Sequence, residues 1–140
     1  MHVIVGIGVD LVNVAKFGAM VNRTPGFTDT LFTSRERIDE SGEQRSVTSL
    51  AGRYAAKQAL SKALGVPPGV RWHDCEVLVE PDGRPYLRTS GMLSEAAAEL
   101  GVATFHLSLA MEGDTAIAYV IAEGTSSLDG VGSHRMPESA

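Results

Sequence analysis

The chain has 140 residues, 44% of them apolar and 21% charged, with a formal net charge of −5. That length and balance describe one globular domain with a modest core, and the acidic sum argues against a nucleic-acid binder. No apolar run is long enough to span a bilayer, and the single cysteine, Cys75, excludes an internal disulfide and fits a reducing cytoplasm.

The opening "MHVIVGIGVDL" has no basic n-region or small-residue cleavage site, so no signal peptide is expected. Its β-branched content predicts a strand over His2–Val12. Alternation puts Val3, Val5, Ile7 and Val9 on one face and Ile4, Gly6, Gly8 and Asp10 on the other. Two glycines leave that second face open, for a ligand or for a closely packed helix. Asp10 stands at its end, either as a functional carboxylate or as the N-cap of a helix from Leu11 to about Val21.

"NRTPGFTDT" reads as a loop. Thr33 and Glu36 have capping-box spacing, so a short helix should start after Thr33. A long helix is expected from Ser46 or Val47 to Gly65, with Pro67 and Pro68 beyond it. At about 100° per residue, Ala51, Ala55, Gln58 and Lys62 form one stripe with Tyr54 at its edge. Arg53 and Lys57 lie on a different side. Two polar groups on an alanine stripe suit either a helix that faces a ligand or a surface helix with snorkelling side chains.

"DCEVLVEPDGRPYLRTS" predicts a hairpin, with strands Cys75–Glu80 and Pro85–Arg88 around Pro81-Asp82-Gly83. A helix over Met92–Leu100 ends at Gly101. "ATFHLSLAM" and "TAIAYVIAE" make a second hairpin around Glu112-Gly113-Asp114, central because it is apolar on both faces. Residues 1–124 thus read as the domain, and 125–140, containing His134, as a flexible tail.

The charge is uneven. Residues 1–62 carry eight Lys/Arg against six Asp/Glu, whereas residues 63–140 carry four against eleven. The basic half suits an acidic partner or a phosphate ligand, or an ordinary solvated surface. Four histidines and one cysteine show no metal-cage spacing. There is no GxxxxGK[ST] loop, no complete GxGxxG and no GxSxG elbow. His106 with Ser108 lacks a third partner and reads as structural.

Four segments in order, "GIGVDLV", "LFTSRE", "AGRYAAKQALSKALG" and "HLSLAMEGDTAIAYVIAE", with "DGRPYL" between the last two, carry a resemblance. Together they are similar to the holo-acyl-carrier-protein synthase family of 4′-phosphopantetheinyl transferases, over roughly residues 1–124. The resemblance implies an α+β fold, with helices on a small antiparallel sheet. It implies a homotrimer with sites between subunits. It implies transfer of the phosphopantetheine arm of coenzyme A to a serine of apo-acyl carrier protein, releasing 3′,5′-ADP with Mg²⁺ as cofactor, in the cytoplasm.

By position, Asp10 and Gln58 match the metal ligands and Lys62 the phosphate-contacting lysine, the three forming the catalytic set. Arg53, Gly83, Arg84, Pro85 and Met111 match positions along the cofactor, with the alanine stripe as a wall for it. Lys16 and Arg23 match the face that meets the carrier protein. Two positions depart from the pattern. Gln58 stands where the family has a glutamate, and Met111 where it has a histidine. The alternative is therefore a member that binds coenzyme A or carrier protein without efficient transfer.

Overall fold

The computed structural model describes residues 1–66 and 72–125. The elements run β1 (His2–Asn13), α1 (Val14–Arg23), α2 (Phe27–Leu31), α3 (Ser34–Arg37), α4 (Val47–Leu64), a 3-10 turn (Trp72–Asp74), β2 (Cys75–Val79), β3 (Pro85–Thr89), α5 (Gly91–Glu99), β4 (Val102–Glu112) and β5 (Thr115–Thr125). The strands form a three-stranded antiparallel sheet, β1-β5-β4, and a separate β2-β3 hairpin. This is an α+β fold, as expected, with two small sheets in place of one. Pro67, Pro68 and the tail beyond Thr125 lie outside the described residues. Among those described, no helix is long and apolar enough to cross a membrane.

Helix α4 is the organising element. Ser46 caps it by accepting from Ser49 N, and Gly65 ends it in the left-handed conformation that favours glycine. Its small residues let it lie flat on the sheet. Ala51, Ala55 and Ala59 are fully buried, as are Ala118, Val120 and Ala122 of β5. The approach is closest at β1. A Cβ on Gly6 would fall 1.9 Å from Ala63 O, and one on Gly8 would fall 1.9 Å from Ala59 O. Only glycine admits a helix backbone this near. The open glycine face expected from sequence is therefore filled by α4, and the alanine stripe is a helix–sheet seam, not a wall for a ligand.

Three local expectations change. β1 runs on to Asn13 because it pairs with β5 along that whole length, and Asn13 caps α1 through Lys16 N at 2.9 Å. Asp10 is thus a strand residue, not a cap. A register shift between Ile4 and Gly6 breaks the alternation, so Val5 packs on the core while Ile7 and Val9 are exposed. Part of the expected loop is helix α2, because Phe27 and Leu31, four apart, turn toward the aromatic core.

The second hairpin has β5 at the centre and β4 at an edge. Among the described residues, only one face of this sheet is covered. The other exposes Ile7, Val9, Leu11 and Tyr119. His106 lies across from Ile121 on that strand pair and hydrogen-bonds Glu123 at 2.7 Å, in keeping with a structural histidine.

Candidate active site

The packing of α4 on β1 sets the geometry. Gly8 sits over Ala59 and Gly6 over Ala63, so strand and helix run antiparallel, two strand residues to four helix residues. Continuing that register brings Asp10 alongside Ala55. Helical side chains lean toward the N-terminus, so Gln58 and Lys62 lean toward Asp10. Lys62 reaches it: Nζ donates to Asp10 Oδ1 at 2.9 Å and to Val9 O at 3.0 Å. Residues 52 positions apart thus meet within one chain.

The two partners differ in exposure. The Asp10 side chain is 13% exposed and that of Lys62 is 52%. Asp10 Oδ2 is buried and has no hydrogen-bond partner among the described residues. A buried carboxylate oxygen without a partner is costly, and it is the natural contact for a cation, a water or a ligand proton. Gln58, one turn before Lys62, is half-buried and its amide hydrogen-bonds no described residue. Tyr54 is close by. Burial, and then the charge on Asp10, raise its hydroxyl pKa, and its ring packs between Phe17 and Trp72 at 5.3 and 5.6 Å.

A second region lies toward the other end of α4. Arg53, Gly83, Arg84 and Pro85 line one cleft of about 470 Å³ together with Leu107 and Ser108 of β4. Arg53 is 6% exposed. Its Nε donates to Val77 O at 3.2 Å and its Nη1 to Ser49 Oγ at 2.8 Å. Burial, then the charge of Arg45, bring its pKa down to about 10, with Glu36 opposing. At neutral pH it is still a cation, and a poorly solvated one. Gly83, at φ +92°, makes the tight turn that Glu80 O closes by accepting from Gly83 N at 2.8 Å. Met111 is half-exposed and lines an adjoining cleft that shares Arg53.

The structure therefore gathers the expected residues into two groups. Asp10, Gln58 and Lys62 form one, and Arg53, Gly83, Arg84, Pro85 and Met111 the other. Within a single chain the groups are separate. Arg53 and Lys62 are nine residues apart on one helix, roughly 13 Å at about 1.5 Å per residue. Lys16 and Arg23 are exposed on α1, with Met20 between them on the same side.

Sequence reasoning missed one buried feature behind the cleft. Lys57 Nζ pairs with Glu36 Oε1 at 2.8 Å, with side-chain exposures of 1% and 0%. It also donates to Trp72 O at 2.9 Å and to Cys75 O. Glu36 accepts from Val77 N at 2.8 Å and from Thr33 N at 3.0 Å. The pair ties α3 and α4 to the start of the β2-β3 hairpin. The signal was there in part, since Glu36 was read as a cap and Lys57 as facing away from the stripe.

The sequence model of the 4′-phosphopantetheinyl transferase superfamily matches residues 6–120. The chain is 51% identical over 120 residues to a holo-[acyl-carrier-protein] synthase of Salinispora arenicola, covering 86% of this chain and 98% of that protein. Among solved structures, an acyl carrier protein synthase of Mycobacterium tuberculosis superposes with a TM-score of 0.67 at 35% identity, over 88% of this chain and 100% of that one. A holo-(acyl-carrier-protein) synthase of Bacillus anthracis, solved in complex with CoA (3′,5′-ADP), superposes with a TM-score of 0.69 at 32% identity, over 87% and 98% of the two chains.

Proposed function

The chain belongs to the 4′-phosphopantetheinyl transferase superfamily, and from that membership we propose that it moves the phosphopantetheine arm of coenzyme A onto a serine of apo-acyl carrier protein. Its 51% identity to a named synthase and its likeness to a relative solved with CoA support this reading. The observation that carries it is local. An ammonium, Lys62, and a carboxylate with one buried, unpartnered oxygen, Asp10, meet at the end of a strand.

The chemistry asks for that pairing. The serine oxygen forms a bond to the β-phosphorus of the diphosphate. The bond from that phosphorus to the bridging oxygen breaks, and its electron pair leaves on 3′,5′-ADP. Charge builds on the leaving phosphate, and catalysis consists mainly of positioning and electrostatics. Lys62 puts a point charge on a phosphate. Arg53 and the Gly83-Arg84-Pro85 turn hold the nucleotide end in their cleft. Neither Gln58 nor Met111 can accept the serine proton at neutral pH, so the proton goes to water or to the departing phosphate.

The donor set fits a hard cation such as Mg²⁺. One buried carboxylate oxygen and a neutral amide oxygen suit an ion that takes one or two carboxylates plus substrate phosphates. Among the described residues, no three His, Cys, Asp or Glu side chains could hold a metal by themselves. When bound, the cation would offset charge on the diphosphate and orient it; Asp10 and Gln58 would hold it.

The two groups of site residues lie apart in one chain, which is compatible with the shared site that the family resemblance implies, a neighbouring copy bringing its cleft to this copy's Asp10 and Lys62. The uncovered sheet face, with Ile7, Val9, Leu11 and Tyr119 exposed, supports self-association as a homotrimer. Lys16, Met20 and Arg23 on α1 suit the acidic carrier protein. The setting is the cytoplasm.

Mass spectrometry of apo-acyl carrier protein incubated with the chain, coenzyme A and Mg²⁺ tests the reading. The expected result is one phosphopantetheine arm per carrier serine, with equimolar 3′,5′-ADP. Gln58 and Met111 favour a second reading, binding without efficient transfer. It predicts coenzyme A binding by calorimetry and no mass gain, with turnover gained at least about tenfold by the Gln58→Glu, Met111→His pair, since a general base typically contributes 10²–10⁴-fold.

A further inference from the structure

In the free chain the cation held by Asp10 is Lys62 itself. Its ammonium sits 2.9 Å from Oδ1 while Oδ2 remains buried and unpartnered. Position 58, one turn along the same helix face, is an amide. Carboxylate, ammonium and amide together carry no net charge. A divalent ion entering alone meets a carboxylate already neutralised, beside an ammonium that repels it. Mg²⁺ also dehydrates reluctantly and wants further oxygens.

A diphosphate reverses this balance. It brings negative charge and several oxygen ligands, and it offers Lys62 a second acceptor. Lys62 is free to take it, because half of its side chain is in solvent. Asp10 is not, because it is fixed in the strand pair with β5.

We propose that this chain takes up the divalent cation only together with coenzyme A: Lys62 blocks the cation from Asp10 until a diphosphate draws the ammonium away. The proposal rests on the reading above, in which the diphosphate lies at Asp10 and Lys62. It gives Lys62 a second role, as the group that keeps the empty site from taking up metal. It gives Gln58 a consequence as well, since a carboxylate there would let metal bind first.

Titration with Mn²⁺, following free ion by electron paramagnetic resonance, tests this without any turnover. For the parent protein alone we expect no saturable binding tighter than about 1 mM. With coenzyme A present, one Mn²⁺ per chain should bind at least about tenfold tighter than it binds coenzyme A without protein. Lys62→Met should raise affinity for Mn²⁺ alone by about tenfold while lowering affinity for metal-free coenzyme A. Gln58→Glu should also gain affinity for Mn²⁺ alone. Opposite effects on the two ligands cannot come from a fraction of misfolded protein. Saturable binding of Mn²⁺ by the parent alone tighter than about 1 mM, or no gain in Lys62→Met, overturns the coupling. If that happens while coenzyme A binds normally, the reading of the site stands. If coenzyme A does not bind under any condition, that reading falls and the coupling falls with it.

Discussion

Asp10→Asn is expected to lower kcat/KM for transfer by about 10²–10³-fold, the cost of removing one preorganised electrostatic contact, with little change in stability. The two effects separate because of where the groups sit. The Lys62–Asp10 pair is half-exposed on its lysine side, and such pairs add about 1 kcal/mol or less to folding. Asp10 Oδ2 has no partner to lose. Asparagine keeps the shape and the oxygen on Lys62 but removes the charge that a cation and a diphosphate both depend on. Steady-state kinetics with a thermal melt checks this. The melting temperature should move by no more than about 4 °C, which is about 1 kcal/mol for a domain of this size. A variant within about threefold of the parent rate would deny Asp10 its role, since a contact of this kind is worth at least about 10²-fold.

The second large effect concerns stability. Lys57→Met alone, or Glu36→Gln alone, should destabilise the fold by about 3–5 kcal/mol, because each leaves an uncompensated charge or an unpaired donor set in the interior. That is a large share of a typical 5–15 kcal/mol. Glu36 also holds Val77 N and Thr33 N, and Lys57 holds Trp72 O and Cys75 O. Loss of the pair should therefore loosen the β2-β3 hairpin against α4, where Arg53 reaches Val77 O. Changing Glu36 to Gln and Lys57 to Met together removes both charges, so the double variant should be more stable than the sum of the singles by at least about 1 kcal/mol. Urea denaturation measures this directly. Strict additivity would mean that the two groups do not act as a pair.

Much of this was legible in the sequence, for reasons particular residues make plain. α4 announced itself through Ser46, Gly65 and the alanine-rich run from Ala55 to Leu64. The hairpins did so through Asp82-Gly83 and Gly113. What periodicity could not decide was what faced the glycines and alanines. A small residue marks a close approach without saying whose. Here Gly6 and Gly8 admit the backbone of Ala63 and Ala59, and the ligand reading of that face was wrong. The start of the first helix was misjudged because an Asp near a strand end reads as a cap, whereas pairing with β5 carries β1 to Asn13, one residue past its expected end, and Asn13 is the cap.

The site was legible only in pieces. Residue types and spacing singled out Asp10, Gln58 and Lys62, but the meeting of Asp10 and Lys62 spans 52 positions and was expected only from the resemblance. The Lys57–Glu36 pair escaped notice because local sequence showed each residue's setting, a cap and a separate helix side, without showing that the two meet. Arg53, Gly83, Arg84 and Pro85 do share a cleft. That this cleft lies apart from Asp10 and Lys62 on the same chain could not be read from motif order; the neighbouring copy in the proposed site comes from the family resemblance.

A crystal structure with coenzyme A and Mn²⁺, using the anomalous signal of manganese, tests the central claim most directly. The claim predicts a manganese peak on Asp10 Oδ2 and a diphosphate oxygen bonded to Lys62 Nζ, with the nucleotide running into the Arg53–Arg84 cleft of an adjoining copy. A diphosphate bound away from Lys62, or a manganese peak with no Asp10 ligand, would contradict it.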